Sequence, residues 1–302
     1  MPKLRQFEIF AKLAETGNMR EAAIALGLTQ PALSQQIRSL ENALGFQLFE
    51  RVPKGMELTP KARELLGSAR SVLNAVRDFS DGADLLAARA AGSIRFGVTP
   101  TIGPYLMPAV IKELHRRYPD LRLFIREGIP AQHHAELAAG ELDMVLSPMP
   151  IAGRGLQVQP LFREPLRIVA PPDDPLLAKG ALSDRDFEGR TFLTLDHRHH
   201  YHRQLEAVCA RLHATILADY EGTNLDLLRQ MAGTGAGLAL LPEIYIRSEA
   251  GGLDVVAIAE PEGWAEYRSV AAAWRSSAAM TQVYAEIADM VAEVARERLG
   301  HQ

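Results

Sequence analysis

Apolar residues recur with helical spacing over the first ninety positions, then gather into short blocks. Phe7, Phe10, Ala11 and Ala14 share one side of a helix predicted over about Leu4–Glu15. Asn18 is a good N-cap for a second, short helix reaching about Leu26, and the paired Ala22 and Ala23 let another helix approach closely. Gly27 can take the positive φ that ends it. Thr29 then caps a third helix with Pro31 in its first turn. In that helix Leu33, Ile37, Leu40 and Leu44 form one apolar face, spaced 4, 3 and 4 apart. The opposite face carries Pro31, Gln35, Arg38 and Asn42, with Ser34 on its flank and Gln30 at its start. Short strands over Gln47–Arg51 and Glu57–Thr59, joined by the turn Val52-Pro53-Lys54-Gly55, complete a helix-turn-helix with a wing.

A longer helix opens at Thr59-Pro60. Ala62, Leu65, Ala69, Val72, Val76, Phe79, Ala83 and Leu86 recur at alternating steps of 3 and 4, a seam of more than three heptads. Such a seam packs either on its own domain or on a second copy of the chain. The second reading makes 60–91 a dimerisation helix, closed by Gly92.

From residue 93 the pattern changes to alternating strands and helices, which argues a parallel α/β sheet. Strands are predicted over Ser93–Val98, Leu121–Glu127 and Leu142–Ser147, with helices over Ile102–Arg117 and His133–Ala139. Leu156–Phe162 and Leu166–Ala170 follow as two strands without a helix between them. A second set holds strands at Phe192–Leu195, Ile216–Tyr220 and Leu238–Leu241 and helices at Tyr201–Leu212 and Leu225–Met231. Tyr267–Trp274 is a late strand and Met280–Arg298 a closing helix. The fold class is therefore α+β and multi-domain: a winged helix-turn-helix over 1–59, a linker helix over 60–91, and a two-lobe α/β domain over 92–302. Lobe I takes about 92–161 and 268–302, and lobe II about 162–267. Ligands of open α/β sheets bind at the carboxyl ends of strands.

The 302 residues have ordinary globular composition, 47% hydrophobic and 23% charged. No apolar run is long enough to span a bilayer and no signal peptide is evident, so a cytoplasmic location is expected. The single cysteine, Cys209, excludes an internal disulfide and a Cys-rich zinc site. The net charge of −4 is unevenly held: residues 1–65 carry about +2 and the remainder about −6. A weakly basic head suits a small DNA module whose affinity is raised by dimerisation.

The polar face of the third helix is what a major groove accepts. Glutamine pairs with adenine N6 and N7, and arginine grips guanine or phosphate. Arg51 and Lys54 on the wing are placed for phosphate or a minor groove. An ordinary solvated helix face is the competing reading.

At the start of the α/β half, Thr99, Pro100 and Thr101 combine hydroxyls with a helix start, a cradle for a polar ligand. Ser147 ends a later strand, and Thr223 with Asn224 opens another helix. Plain capping explains any one of them; together they point to an effector site. The run Asp196-His-Arg-His-His-Tyr-His-Arg203 sits at a strand-to-helix turn, where neighbouring side chains splay apart. Its imidazoles suit effector contact by His199 or His200 better than a metal site, with a solvated cationic turn as the other alternative. His133 and His134 read as helix surface. Cys209 lies beside the apolar stripe Tyr201, Leu205, Val208 and Leu212, so inert packing is its default.

The run Leu28-Thr-Gln-Pro-Ala-Leu-Ser34 and the set Leu40-Glu41, Leu44-Gly45 and Leu48-Phe-Glu-Arg51 resemble the signature of LysR-type transcriptional regulators. The likeness covers the whole chain. It implies a winged head, a linker-helix dimer that assembles into a homotetramer, and an effector domain like periplasmic solute-binding proteins. It also implies a pseudo-palindromic double-stranded operator and a small-molecule co-inducer, with RNA polymerase a further candidate partner. Output is activation or repression of transcription. Carried over, Gln30, Pro31, Ser34 and Gln35 face base edges, while Arg38, Arg51 and Lys54 hold backbone. The family often has arginine where Gln35 stands, which alters the expected half-site preference.

The runs Thr99–Pro108, Glu221–Met231 and Ala232–Pro242 are similar to the peroxide-sensing OxyR-type branch of that family. Its sensors use a disulfide between cysteines nine residues apart. Cys209 holds the second place, but His200 stands at the first and His199 matches the histidine before it. The leading expectation is thus a regulator whose DNA binding answers a small molecule between two lobes. The alternative is an oxidative-stress regulator sensing through Cys209 or the His197–His202 cluster. A stand-alone solute-binding protein would not carry the head. An enzyme is disfavoured by the lack of a Ser-His-Asp elbow, a P-loop or a dinucleotide fingerprint, and no cofactor or metal is expected. Gly233-Thr-Gly-Ala-Gly237 follows a helix and precedes a strand, the reverse of what phosphate binding needs.

Overall fold

A computed structural model of the chain describes residues 2–53, 55–86, 93–153, 155–222, 224–248 and 254–300. The chain divides into two compact units, Met1–Ala88 and Arg89–Gln302.

The first unit begins with α1 (Leu4–Thr16), α2 (Met19–Ala25) and α3 (Gln30–Leu44). Asn18 caps α2 by accepting from the amides of Arg20 and Glu21, and Thr29 caps α3 by accepting from Ala32. Gly27, at φ +64°, lets the chain reverse between the two helices. Ile9, Phe10 and Leu13 of α1 meet Ala22, Ala23, Leu33, Ile37 and Leu40 in one buried core. The wing is β1 (Phe49–Val52) paired antiparallel with β2 (Gly55–Leu58), one or two residues off the expected bounds. Its start is fixed on α3 by Glu41, which accepts from the amide of Leu48 at 2.7 Å. Its tip is held at the α1–α2 junction because Met56 donates its amide to the Gly17 carbonyl at 2.8 Å. A Cβ at Gly55 would sit 2.3 Å from that carbonyl, so only glycine permits the approach.

The long helix α4 (Pro60–Leu86) is capped by Thr59, which accepts from Ala62. Its seam divides. Ala62 and Ala69 are buried in the head's own core with Leu65 packed against it, so the first two turns serve the domain itself. Val72, Val76 and Phe79 are exposed, Phe79 to 78%. Residues 87–91 and Gly92 lie outside the described residues.

The second unit opens with β3 (Ser93–Val98), α5 (Gly103–Arg117), β4 (Arg122–Glu127), α6 (Pro130–Ala139) and β5 (Met144–Pro148). These strands pair in parallel, Val98 against Glu127 on one side and Leu146 on the other. The two strands expected at 156–162 and 166–170 are one, β6 (Leu156–Ala170). Pro165 and its neighbours do not interrupt it, because an extended chain accepts proline's fixed φ where no ladder amide is needed. Short 3-10 turns at Pro175–Ala178 and Asp184–Phe187 lead to β7 (Thr191–Leu195), α7 (His200–Leu212), β8 (Thr215–Gly222), α8 (Leu225–Gly233) and β9 (Ala239–Pro242). The chain closes with α9 (Glu243–Ser248), β10 (Val256–Ala257), β11 (Tyr267–Arg275) and α10 (Thr281–Leu299).

The main sheet has the order β10-β6-β11-β5-β3-β4, with β9 also on β6, while β7 and β8 form a second, parallel pair. The first part of β6 pairs with β11, from Leu156 opposite Arg275 to Pro165 opposite Tyr267. Its last part, Leu166–Val169, pairs with β9. β6 therefore belongs to both lobes. Among the described residues no helix is long and apolar enough to cross a membrane.

Candidate functional site

On the head, the starts of α2 and α3 and the tip of the wing enclose an open concavity of about 470 Å³. Gln30, Pro31 and Ser34 line it from α3, Asn18 and Met19 from α2, and Arg51 and Met56 from the wing. Four of the residues singled out for DNA are thus gathered around one hollow. Gln35 and Arg38 are exposed further along the same face of α3, and Lys54 lies outside the described residues. Neither Arg38 nor Arg51 has an ion-pair partner among the described residues, so both charges are available to an external anion. The sequence reading passed over Asn18, Met19 and Met56 as parts of this surface. Asn18 was legible only as a cap, and the two methionines only as apolar positions.

In the second unit the carboxyl ends of β3 and β5 lie side by side, bringing Thr99 next to Ser147. Thr99, Thr101 and Ser147 are all buried. The hydroxyls of Thr99 and Thr101 are 3.4 Å apart. The Thr99 carbonyl accepts from the amides of Ile102 and Gly103, so the turn through Pro100 is already closed on itself. Ser147 Oγ meets His134 Nε2 at 3.1 Å. His134 thus reaches back to the strand end instead of lying on the surface as expected. His133 departs further from that expectation, since it is fully buried. Its ring fills a slot that a Cβ at Gly97 or Gly128 would close, at 3.1 Å from Nδ1 and 2.6 Å from Nε2. Neither ring nitrogen has a hydrogen-bond partner among the described residues, and burial lowers its pKa below the usual histidine value.

In the other lobe, the histidine-rich turn splays. His197 points to solvent beside Asp196, which also holds Arg198. His202 Nδ1 meets Thr194 Oγ1 at 2.9 Å. His199 is buried at the N-cap of α7, with His200 beginning the helix. Burial lowers the pKa of both; Arg203 and then Arg268 lower that of His200 further. Among the described residues no three metal-ligating side chains are placed to hold an ion. Asn224 caps α8, accepting from Leu227 at 2.9 Å; Thr223 lies outside the described residues.

Arg268 joins the two halves of this region. Its Nε donates to Glu164 Oε1 at 2.5 Å, and an Nη donates to the Thr101 carbonyl at 2.9 Å. Glu164 accepts in turn from the amide of Ile244 at 3.0 Å. Sequence reasoning missed this pair. The available signal was weak: Glu164 is the one acid in β6, between Arg163 and Arg167, and Arg268 stands just before the apolar run Val270–Trp274 of β11. Cys209 is buried in α7, and burial pushes its thiol up to about 11.

A winged helix-turn-helix followed by a two-lobe binding domain defines a class, the ligand-binding bacterial regulators. Residues 4–63 match the bacterial regulatory helix-turn-helix proteins of the lysR family, and residues 87–296 match the LysR substrate binding domain. The chain belongs to the LysR family of DNA-binding transcriptional regulators. It is 31% identical to the hydrogen peroxide-inducible genes activator of Dickeya chrysanthemi, over 96% of this chain and 95% of that one. It is 34% identical to a probable activator of the same description from Streptomyces viridosporus, over 98% and 95%. Among solved structures it resembles a full-length OxyR variant from Pseudomonas aeruginosa, with TM-score 0.77, 28% identity and coverage of 96% and 94%. It also resembles a hydrogen peroxide-bound mutant of Corynebacterium glutamicum OxyR, with TM-score 0.64, 28% identity and coverage of 99% and 94%.

Proposed function

We propose that this regulator binds a pseudo-palindromic operator as a dimer, or a tetramer of two dimers, and that a small molecule held between its two lobes controls that binding. Gln30, Pro31, Ser34 and Gln35 read base edges, and Arg38, Arg51 and Lys54 hold the backbone. Val72, Val76 and Phe79 of α4 form the dimer seam, which accounts for their exposure in a single chain. The effector contacts are Thr99, Pro100, Thr101 and Ser147 from one lobe and His199, His200, Thr223 and Asn224 from the other. The domain limits follow that division of labour: 1–59 reads DNA, 60–91 dimerises and 92–302 binds the effector. No catalytic step and no cofactor is assigned, and the protein acts in the cytoplasm, where the operator is.

The observation that carries the reading is Arg268. It bonds the Thr101 carbonyl of lobe I and Glu164 at the point where β6 passes into lobe II, so one side chain ties the lobe I part of the candidate site to the other lobe. The test is a thermal-shift screen of the full chain against neutral polyols, carboxylates, aromatic acids, peroxide and divalent metals. A stabilising compound whose effect is lost in Thr101→Val and His200→Ala supports the site. Stabilisation untouched by both variants overturns it.

One observation favours a second reading. The relatives that match nearly end to end are described as hydrogen peroxide-inducible activators. On that reading Cys209 or the His197–His202 cluster senses oxidant. Operator binding that responds to peroxide in the wild type, and not in Cys209→Ser, would decide for the thiol.

A further inference from the structure

The start of α8 is bonded to lobe I by a group that neither the candidate effector site nor the dimer seam uses. Asp226 sits in the first turn of α8. Each of its carboxylate oxygens accepts from a different tyrosine: Oδ2 from Tyr105 at 3.1 Å and Oδ1 from Tyr245 at 3.1 Å. The two rings meet edge to face, 4.7 Å between centroids and 83° between planes, and both are buried. Tyr245 is itself held: Arg229, one turn along α8, donates to its hydroxyl at 2.9 Å and pairs with Asp254. Burial drives the Tyr245 phenol well above its ordinary value, so it stays a donor to the carboxylate at all working pH.

The contacts are not equivalent. Tyr245 belongs to α9 and Asp226 to α8, both in lobe II. Tyr105 belongs to the first turn of α5 in lobe I, four residues after Thr101. The Tyr105–Asp226 bond therefore spans the lobes, and it joins the first turns of two helices. One helix follows Thr99–Thr101 and the other follows 223–224, which are the two sides of the site proposed above. The edge-to-face packing on Tyr245 and the bond from Arg229 fix the acceptor before Tyr105 reaches it. The bond has a charged acceptor, and its 3.1 Å puts it at the long end of the hydrogen-bond range.

We propose that Tyr105 and Asp226 are positioning residues: their bond sets the spacing between the Thr99–Thr101 turn and the start of α8, and so sets how the two lobes meet around a ligand. The role in ligand response rests on the effector reading. The bond's control of the two helix starts does not.

Hydrogen exchange on the full-length protein, without any ligand, separates the two. In Tyr105→Phe the amides of 99–105 and of 224–229 should both exchange roughly tenfold faster than in the wild type, the loss expected for one charge-assisted bond. Tyr245→Phe should speed exchange in 224–229 and 243–248 more than in 99–105, because the bond it removes lies within lobe II and the Tyr105–Asp226 bond remains. Protected exchange in α10 and β11 of both variants reports that the fold is intact. If Tyr105→Phe leaves 224–229 at the wild-type rate, or if Tyr245→Phe loosens 99–105 equally, the proposal is wrong. Exchange that follows the expected pattern while no compound stabilises the chain would leave this bond standing and remove the effector reading.

Discussion

Arg268 and Glu164 stand opposite each other on the paired strands β11 and β6 as a buried ion pair, with 2.5 Å between Nε and Oε1. One Nη of Arg268 and the second oxygen of Glu164 are bonded to backbone at Thr101 and Ile244. A satisfied pair of this kind is neutral or modestly stabilising, but half of one is costly. Glu164→Gln should destabilise the second unit by about 3–5 kcal/mol, because Arg268 is left charged and underpaired. Urea denaturation followed by circular dichroism measures it. A loss below about 1 kcal/mol would mean that water reaches the pair after all.

The head supplies two kinds of contact that mutation should separate. Gln30→Ala and Ser34→Ala should each cost about 1–3 kcal/mol on a cognate half-site and little on unrelated DNA. Arg51→Ala should weaken both about equally and lower the salt slope of binding by about one. Fluorescence anisotropy at several salt concentrations reads both quantities. Equal losses on cognate and unrelated DNA for Gln30→Ala would remove it from the base-reading set.

The exposed stripe on α4 makes an assembly prediction. Phe79→Glu, alone or with Val76→Glu, should shift the chain to monomer in sedimentation velocity and abolish tight operator binding. Ala62 and Ala69 lie on the part of the seam packed into the head, so enlarging them should lower the melting temperature instead. A Phe79→Glu variant that sediments like the wild type would place the dimer contact elsewhere.

His133 gives the acid limb of stability a structural cause. Burial does most to lower its pKa, and the positive charges of Arg126 and His134 add to that against Glu136, so the folded chain holds the ring neutral below the ordinary value of 6.5. The unfolded chain then binds more protons on the acid side. The contribution is complete above about pH 6.5 and is lost as pH falls through the lower, folded value. His134, His199 and His200 are shifted the same way, by burial first. His133→Leu should remove one proton from this dependence, flattening the slope by up to about 1.4 kcal/mol per pH unit. Gly128→Ala should destabilise at every pH, since its Cβ would meet the ring at 2.6 Å.

Cys209 supplies the opposite limb. Burial raises its folded pKa from 9.0 to about 11, so its contribution to stability is complete below pH 9 and falls away as pH rises towards 11. The thiol should react slowly with a disulfide reagent at pH 8 in the native chain and rapidly in urea. Fast native labelling would show that α7 opens and would restore Cys209 as a sensor.

The head was legible nearly residue by residue, because its signals are local: Asn18 and Thr29 cap as read, and Leu33, Ile37 and Leu40 face the core. The long helix was legible over Pro60–Leu86 but not in use. Periodicity records that one face is apolar, not which partner covers it, and here Ala62 and Ala69 go inward while Phe79 does not. In the α/β half the order of elements could be read, whereas α9 was too short to show a period and β6 was divided at its prolines. The contacts that matter most there join positions far apart in the chain. Glu164 with Arg268, and Tyr105 with Asp226, pair across more than a hundred residues, and neither member carries a pattern that names the other. His133 was misplaced because the slot that receives it is made by the absence of side chains at Gly97 and Gly128.

The unbroken course of β6 has a mechanical consequence. Where the strand passes from one lobe to the other, the returning chain runs beside it, with Leu166 bonded to Glu266 and Trp264 to Leu166. The junction is a two-stranded ribbon, not a loose connector. Ribbons yield by twisting and bending as a whole, at a restoring torque that grows with angle. Relative movement of the halves would then be small in amplitude and would relax once the load is removed. Such a joint transmits a signal in proportion to the push it receives.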